Sequence, residues 1–425
     1  MLSPKRNNKN SFNTKKLKKI KEKYAPNYSL LIVVLLFLVF GLLMIFSASA
    51  VIAFLYNDGD TFYFFKRQIL WIIIGGVVAY GLYKLPIDKL RKASIYILIV
   101  TLVMMIYLVP EAIFKIDMPF VDTINGATRW INLGLLSIQP SEIAKFAVVL
   151  ASASWFTLSA KSKASIGAWI KKKENSPIYF SILTLGYKFL PFLIIGAIIG
   201  LILIQKDLDT LVIIVLIFIS MFYVSNNSRK TTFATIFLLS ISAIMGLIAT
   251  LSVNFRKSRF EAFLQILFFG EPSDTSKRGD SFQVWNGLVA LGLGGVIGVG
   301  YGQSRQKLFY LQEAAYTDSI FTIIGEEFGL LGTLGVILGF LIIFSLGLKI
   351  AKEAPDKFQS LLAIGITSWI TIQAFLNIAA NLALIPFGGM PLPFLTYGGS
   401  NTIMILAGIG LLLNISKKKK TLKLH

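Results

Sequence analysis

The sequence predicts an all-α, polytopic membrane protein of ten transmembrane helices, with a large extracytoplasmic loop between helices 7 and 8. Three observations carry that expectation. Hydrophobic residues make up 55% of the 425 and charged residues only 15%, with a mean hydropathy of +0.72, the profile of a membrane-embedded chain. Apolar runs long enough to cross a hydrocarbon core of about 30 Å recur along the chain. Lys and Arg are shared unevenly among the segments that join those runs.

In chain order, residues 1–28 form a basic cytoplasmic tail containing KKLKKIKEK, either disordered or lying on the membrane surface as a short amphipathic helix. The apolar runs follow at 29–50, 68–83, 93–109, 142–160, 189–204, 208–224, 231–251, 319–348, 358–384 and 399–415, within one membrane domain, 29–416. A second basic tail, 417–425, closes the chain. An even number of crossings puts both termini on one side. That side receives 29 of the 42 Lys and Arg residues and the opposite side 12, with Lys145 inside a helix. The positive-inside rule makes the richer side cytoplasmic. The net charge of +21 therefore reads as anchoring to an anionic inner leaflet, not as a nucleic-acid surface. The first apolar run follows 28 polar residues and is of spanning length, so no cleaved signal peptide is expected.

There is no cysteine, and the one histidine is His425. Disulfides, thiolate catalysis, Ser-His triads and Cys- or His-ligated metals are thereby excluded. Acid–base chemistry falls to Asp, Glu, Lys, Tyr or a metal-bound water.

Two external segments, 110–141 and 252–318, are too long to be turns. The second contains GLVALGLGGVIGVGYGQS, whose glycines permit close approach of backbone to backbone or to a ligand. No Gly-Lys-Ser/Thr follows, so it is not a nucleotide phosphate loop.

Four stretches offer chemistry. NGATRWINLGLLSIQPSEIAKF, 125–146, opens the fourth helix, where Pro140 suits the first turn and Glu142 and Lys145 share one face. That pair either neutralises itself or holds a functional carboxylate in a polar cavity. YLQEAAYTDSIFTIIGEEFGLLG, 310–332, sets Asp318 at the head of the eighth helix, with Glu326 and Glu327 about two turns further in. A carboxylate at membrane depth costs about 2.5–3.5 kcal/mol on insertion scales and needs a partner or a task. Asp318 with Thr317 can cap the helix, and Glu326 and Glu327 can bridge to Lys145 or Arg129. NFRKSRF, 254–260, places Arg256, Lys257 and Arg259 outside, as anchors or as a site for an anion. ALIPFGGMPLPFLTYGGSN, 383–401, brings Gly398, Gly399 and Ser400 to the N-terminus of the tenth helix, as a tight loop or a phosphate site.

The runs NGATRWI…QPSEIAKF, WNGLVALGLGGVIGVGYGQSRQK, TDSIFTIIGEE and NIAANLALIPFGGMPLPFLTYGGSN together resemble the shape, elongation, division and sporulation (SEDS) family, which includes FtsW, RodA and SpoVE. The resemblance covers residues 29–416. Asn125-Gly126-Ala127 and SWITIQAFLNIAANL are closer to FtsW than to RodA.

The resemblance implies a peptidoglycan glycosyltransferase that polymerises lipid II at the outer leaflet of the bacterial cell membrane for septal wall synthesis. Lipid II, undecaprenyl-pyrophosphate-linked glycan, a class B penicillin-binding transpeptidase and divisome proteins are the partners it implies, with no nucleic acid. A lipid II flippase, a RodA-type elongation polymerase and an idle scaffold are the alternatives. It also implies that Asp318 is catalytic and that Glu142 and Lys145 are required. The leaving pyrophosphate would meet Arg129, Arg256, Arg259, Lys307, Gly398, Gly399 and Ser400, or a divalent cation such as Mg or Mn. No nucleotide or organic cofactor is expected.

Two motifs depart from the family. Its usual Tyr-Leu-Pro-Glu-Ala-His-Thr-Asp is here Tyr310-Leu-Gln-Glu-Ala-Ala-Tyr-Thr-Asp318, one residue longer and without proline or histidine. Its usual Gln-Pro-Asp-Leu-Gly-Thr is here Gln205-Lys-Asp-Leu-Asp-Thr210.

Overall fold

The computed structural model describes residues 24–124, 127–134, 137–158, 192–225, 232–241, 254–270, 280–386 and 388–419. Each predicted apolar run falls wholly or partly on a helix. These are α1 (Tyr28–Tyr56), α2 (Tyr63–Lys84), α3 (Ile87–Tyr107), α5 (Pro140–Phe156) and α7 (Leu208–Ser225), with α6 (Phe192–Ile204) and α8 (Thr232–Ile241), then α12 (Ile320–Lys352), α13 (Lys357–Asn381) and α14 (Gly399–Ile415). Among the described residues six helices are long and apolar enough to cross a membrane: α1, α2, α3 with its extension to Phe114, α7, α12 and α13. The other four are shorter than 18 residues as described.

The two long segments, 110–141 and 252–318, are not plain loops where described, and the first is not all-α. Residues 110–141 carry α4 (Val109–Phe114) and a three-stranded antiparallel sheet of β2 (Val121–Ile124), β3 (Ala127–Asn132) and β4 (Ser137–Ile138). Val121 pairs with Ile131, and Ile131 with Ile138. Val, Thr and Ile at these positions fit a pleated, half-buried surface, which outweighs the helical bias of the rest of the chain. The second segment carries α9 (Asn254–Phe269), α10 (Asp280–Gly294), a π-helical turn at Lys307–Leu311 and the short α11 (Glu313–Tyr316).

Both ends of the membrane domain meet. Strand β1 (Tyr24–Ala25) pairs antiparallel with β5 (Lys418–Lys419), and the Asn27 amide donates to Ser416 Oγ at 3.0 Å. The first and last described residues thus lie side by side.

The core runs from Leu30, Met44 and Ile45 of α1 through Phe321 and Phe340 of α12 to Trp369 of α13 and Leu411 of α14. Helices α3, α5, α6 and α7 enclose a second cluster around Leu98, Ala147, Ile198 and Ile214. Lipid tails are as apolar as these side chains, so association in a bilayer relies on close van der Waals packing. Helices α2 and α14 show it: a Cβ added at Gly410 would overlap the Ala79 carbonyl, and one at Gly75 would meet Ile403 Cα at 3.2 Å.

Helix α12 is interrupted at Gly329 (φ 64°, ψ −157°). The glycine-rich segment after α10 fills the break. Val299 and Gly300 amides donate to the Glu326 and Glu327 carbonyls at 2.9 and 3.0 Å, while Leu330 donates to Gly295 at 2.9 Å. A Cβ at Gly298 (φ +84°) would collide with the Glu327 backbone. Glycine here serves backbone-to-backbone approach.

Gly410→Ala is expected to destabilise the protein by about 1–3 kcal/mol, the usual range for overpacking. Gly76, on α2 beside the contact but with open space around its Cβ direction, is the control. Thermal unfolding in detergent should show a lowered Tm for Gly410→Ala and an unchanged one for Gly76→Ala.

Candidate active site

Helix α5 begins at Pro140, which lacks the amide hydrogen that a first helical turn leaves unpaired. Its opening turns carry Glu142 and Lys145 inward, 2% and 1% exposed. They are paired, with Lys145 Nζ donating to Glu142 Oε1 at 2.7 Å. The remaining capacity of each group is met by other helices. Lys145 also donates to Gln373 Oε1 of α13 at 2.8 Å and lies 5.6 Å from the centre of the Trp369 ring. Asn401 of α14 donates to Glu142 Oε2 at 2.9 Å, and Gln373 Nε2 donates to the Pro391 carbonyl at 2.9 Å. One ion pair thus ties α5, α13, α14 and the loop between the last two.

A polar cavity of about 90 Å³ opens beside this pair, lined also by Arg129, Gln139, Asp207, Asp209, Thr210 and Gly389. Its size suits a few ordered waters. Asp207 is 2% exposed and accepts from Gln139 Nε2, Ser141 Oγ and Thr210 Oγ1 at 3.1, 3.0 and 2.9 Å. Arg129, presented by β3, donates to the carbonyls of Gln205 and Lys206, and its Nη1 stands 3.8 Å from Asp207 Oδ1. Lys206 lies in the left-handed region at φ 60°. Proline, with φ held near −65°, cannot occupy that position. The Lys206 turn therefore differs from a Gln-Pro-Asp turn and aims its carbonyl at Arg129.

Asp318 lies half-buried between the π-helical turn and α12. Gln283 of α10 donates to its Oδ1 at 3.2 Å and to Ser319 Oγ at 3.0 Å. Its backbone carbonyl accepts from Asn377 and Asn381 of α13, both at 2.9 Å. The cap position of α12 falls on Ser319, which makes no side-chain capping bond. In place of the capping alternative, Asp318 has its carboxylate held by Gln283 of α10 and its backbone carbonyl held by two amides of α13. Oδ2 lies on the side of Gly389, where an added Cβ would meet it at 3.5 Å. Gly389 also lines the Glu142–Lys145 cavity, so a single backbone residue adjoins both.

The family's histidine position is taken by Tyr316, which is 5% exposed and packs on Phe64 and Tyr397 at ring separations of 4.5 and 5.9 Å. Burial first, then the charge of Glu313, holds its phenol above the usual range. Tyr316 stays neutral and packs; it is no rival base.

Several expected ligands are used elsewhere. Lys307 is 4% exposed and donates to Glu327 Oε1 at 2.6 Å and to Ser47 Oγ at 2.8 Å, so burial and pairing withdraw it from the pyrophosphate set. Glu326 and Glu327 do not bridge to Lys145 or Arg129: Glu326 accepts from Ser304 Oγ and the Arg305 amide, and Glu327 accepts from Lys307 and Ser47. The N-terminus of α14 is covered by protein. The Gly398 amide donates to Gln68 Oε1 at 3.3 Å, a Cβ at Gly399 would strike the Trp71 ring, and Ser400 Oγ donates to the Ser137 carbonyl at 2.9 Å. These three residues lock the helix end to α2 and β4 and leave no phosphate cradle. Arg256 and Arg259 lie on α9; their side chains fall outside what the structure describes.

Sequence reasoning passed over Asn377, Asn381, Gln283, Gln373 and Asn401, because amides on apolar helices carry no charge signal. Among the described residues no group of three or more His, Cys, Asp or Glu side chains could hold a metal ion. Glu142→Gln and Lys145→Met should each destabilise the protein by about 3–5 kcal/mol, because each leaves a buried charge unpaired. The double variant should regain most of the lost Tm without regaining activity.

The FtsW/RodA/SpoVE family model, described as cell cycle protein, matches residues 27–421. "Stage V sporulation protein E" of Bacillus subtilis is 35% identical over 93% of this chain and 98% of its own. "Probable peptidoglycan glycosyltransferase FtsW" of Geobacter sulfurreducens is 33% identical over 90% of this chain and 92% of its own. Among solved structures, a chain of a peptidoglycan synthase complex that coordinates polymerization and crosslinking superposes with a TM-score of 0.68 at 20% identity, over 92% of this chain and 98% of that one. The rod shape determining protein RodA of Thermus thermophilus does so at 0.59 and 20%, over 92% and 97%. The fold is thus the RodA fold, and with a family model matched from end to end of the membrane domain, the chain belongs to the FtsW/RodA/SpoVE family.

Proposed function

We propose that this chain is a peptidoglycan glycosyltransferase, of the division type, that polymerises lipid II at the outer leaflet with Asp318 as general base. The observation that carries the reading is the braced, half-buried Asp318 carboxylate at the outer end of α12, in a chain whose sole histidine is its last residue. A relative at 33% identity bears the name probable peptidoglycan glycosyltransferase FtsW, which supports the reaction class.

The 4-hydroxyl of a GlcNAc attacks the anomeric carbon of a lipid-linked MurNAc from the face opposite its pyrophosphate. As the new C–O bond forms, the hydroxyl proton passes to Asp318, the bond to pyrophosphate breaks, and the polyprenyl pyrophosphate leaves with the electron pair. Donors at the outer face oppose the growing charge. Arg129 remains a candidate, with a side chain 28% exposed beside the cavity, and Arg256 and Arg259 stay in the proposal on their position outside α8. A divalent cation such as Mg or Mn would have to be shared between a carboxylate and the substrate's own phosphates. Glu142 and Lys145 hold the loop that borders Asp318. A class B penicillin-binding transpeptidase that cross-links the strands, and divisome proteins, complete the assembly.

The chain purified with its transpeptidase and given lipid II should yield glycan strands. Asp318→Asn keeps the size of the side chain and cannot take the proton, so polymerisation should fall about 10²–10⁴-fold, with Tm and partner binding retained. A wild-type rate in Asp318→Asn would remove the base assignment.

The same reading places ten crossings with both termini in the cytoplasm, and the absence of native cysteine gives a clean test. Asp58→Cys and Glu353→Cys, both at exposed positions, should react with an impermeant maleimide from opposite faces. The first should label in intact cells and the second only after permeabilisation.

A further inference from the structure

We infer that Asp209 is a positioning residue for this reaction, its carboxylate seating the Gly388–Gly389 dipeptide against Asp318. The inference rests on the reading of Asp318 as the base.

Asp209 lies in the first turn of α7, 180 residues from the loop that it touches. The Gly389 amide donates to its Oδ2 at 2.9 Å. A Cβ added at Gly388 would overlap Asp209 Oδ1, so the carboxylate fills the space where any side chain at 388 would begin. On the far side of the dipeptide, a Cβ at Gly389 would stand 3.5 Å from Asp318 Oδ2. One thickness of backbone therefore separates two carboxylates, and the position of that backbone sets where the second has room.

The next two residues are anchored in the same manner. The Met390 carbonyl accepts from Asn377 Nδ2 at 2.6 Å, and this same amide group donates to the Asp318 carbonyl at 2.9 Å. The Pro391 carbonyl accepts from Gln373, the partner of Lys145. Asp209, Asn377 and Gln373 thus grip three consecutive residues from two helices. Of the three grips, the one at Asp209 fixes the residue whose Cβ direction faces the Asp318 carboxylate. Displacements of about 1 Å at a reacting group can lower rates on the order of 10²-fold, so this grip acts on turnover.

The test is a double-mutant cycle on the full chain with its transpeptidase, reading kcat and KM for lipid II beside Tm. Gly388→Ala thrusts a methyl into the carboxylate and should lower kcat about 10–100-fold with little change in KM. Asp209→Gly removes the anchor and should lower kcat less. Combining them should cost no further activity, since the carboxylate that the methyl struck is gone; contacting residues are expected to be non-additive. Asp209→Asn keeps an acceptor oxygen for the Gly389 amide and should recover most of what Asp209→Gly loses. A wild-type kcat in Gly388→Ala, additive losses in the double variant, or losses that follow Tm alone would each overturn the inference. Asp318→Asn is run alongside: if it polymerises at the wild-type rate the base reading fails, while the cycle still reports independently whether positions 209 and 388 are coupled.

Discussion

A lysine ammonium 1% exposed inside a bundle of apolar helices is the constraint around which the rest is arranged. Removing such a charge from water is costly, and only a close, fully hydrogen-bonded partner set offsets it. Lys145 has Glu142 on its own helix and Gln373 on another, while Glu142 has Asn401 on a third. Satisfying one pair therefore fixes the relative placement of α5, α13 and α14. Because Gln373 also holds the Pro391 carbonyl, that placement extends to the loop beside Asp318. The pair thus reaches that loop through a shared partner, Gln373.

A second buried pair, packed against α1, follows the same logic. Lys307 and Glu327 meet at 2.6 Å with Ser47 of α1 beside them. They lie where α12 breaks at Gly329 and where the glycine-rich segment supplies amides to the carbonyls that the break would orphan. Irregular backbone inside a membrane-spanning bundle is tolerated when protein re-satisfies its polar groups. The π-helical turn at Lys307–Leu311 begins with the lysine of this pair and leads along the chain toward Asp318. The approach to Asp318, one residue longer than the family's pattern, begins at that wider turn.

The two clusters divide the work. Around Lys307 the buried charges are matched, Lys307 by Glu327 and Ser47, and Glu326 by Ser304 and the Arg305 amide. Around Arg129, Asp207 and Asp209 a small polar cavity remains, and Gly389 in its wall also faces the Asp318 carboxylate. Two residues before Asp318, Tyr316 packs in a cluster of rings with Phe64 and Tyr397. Asp318 is left half-buried, held by amides that carry no charge of their own.

The sequence alone determined the elements whose cause is local or compositional. The apolar runs fell on helices because spanning length and hydropathy are properties of single segments. Glu142 and Lys145 were readable as a pair because a spacing of three places them on one helix face, and Asp318 was singled out by its place at the head of an apolar run. Tertiary structure decided what depends on contacts between distant segments. Spacing gave no means of knowing that Lys307 would spend its charge on Glu327, or that Ser400 and Gly399 would lock a helix end against Ser137 and Trp71. Nor does a string show that the segment 121–138 would pair as a sheet to present Arg129. Asn377, Asn381, Gln283 and Asp209 stayed silent for the same reason: a hydrogen bond is chosen by distance and direction in space, and the order of residues along a chain records neither.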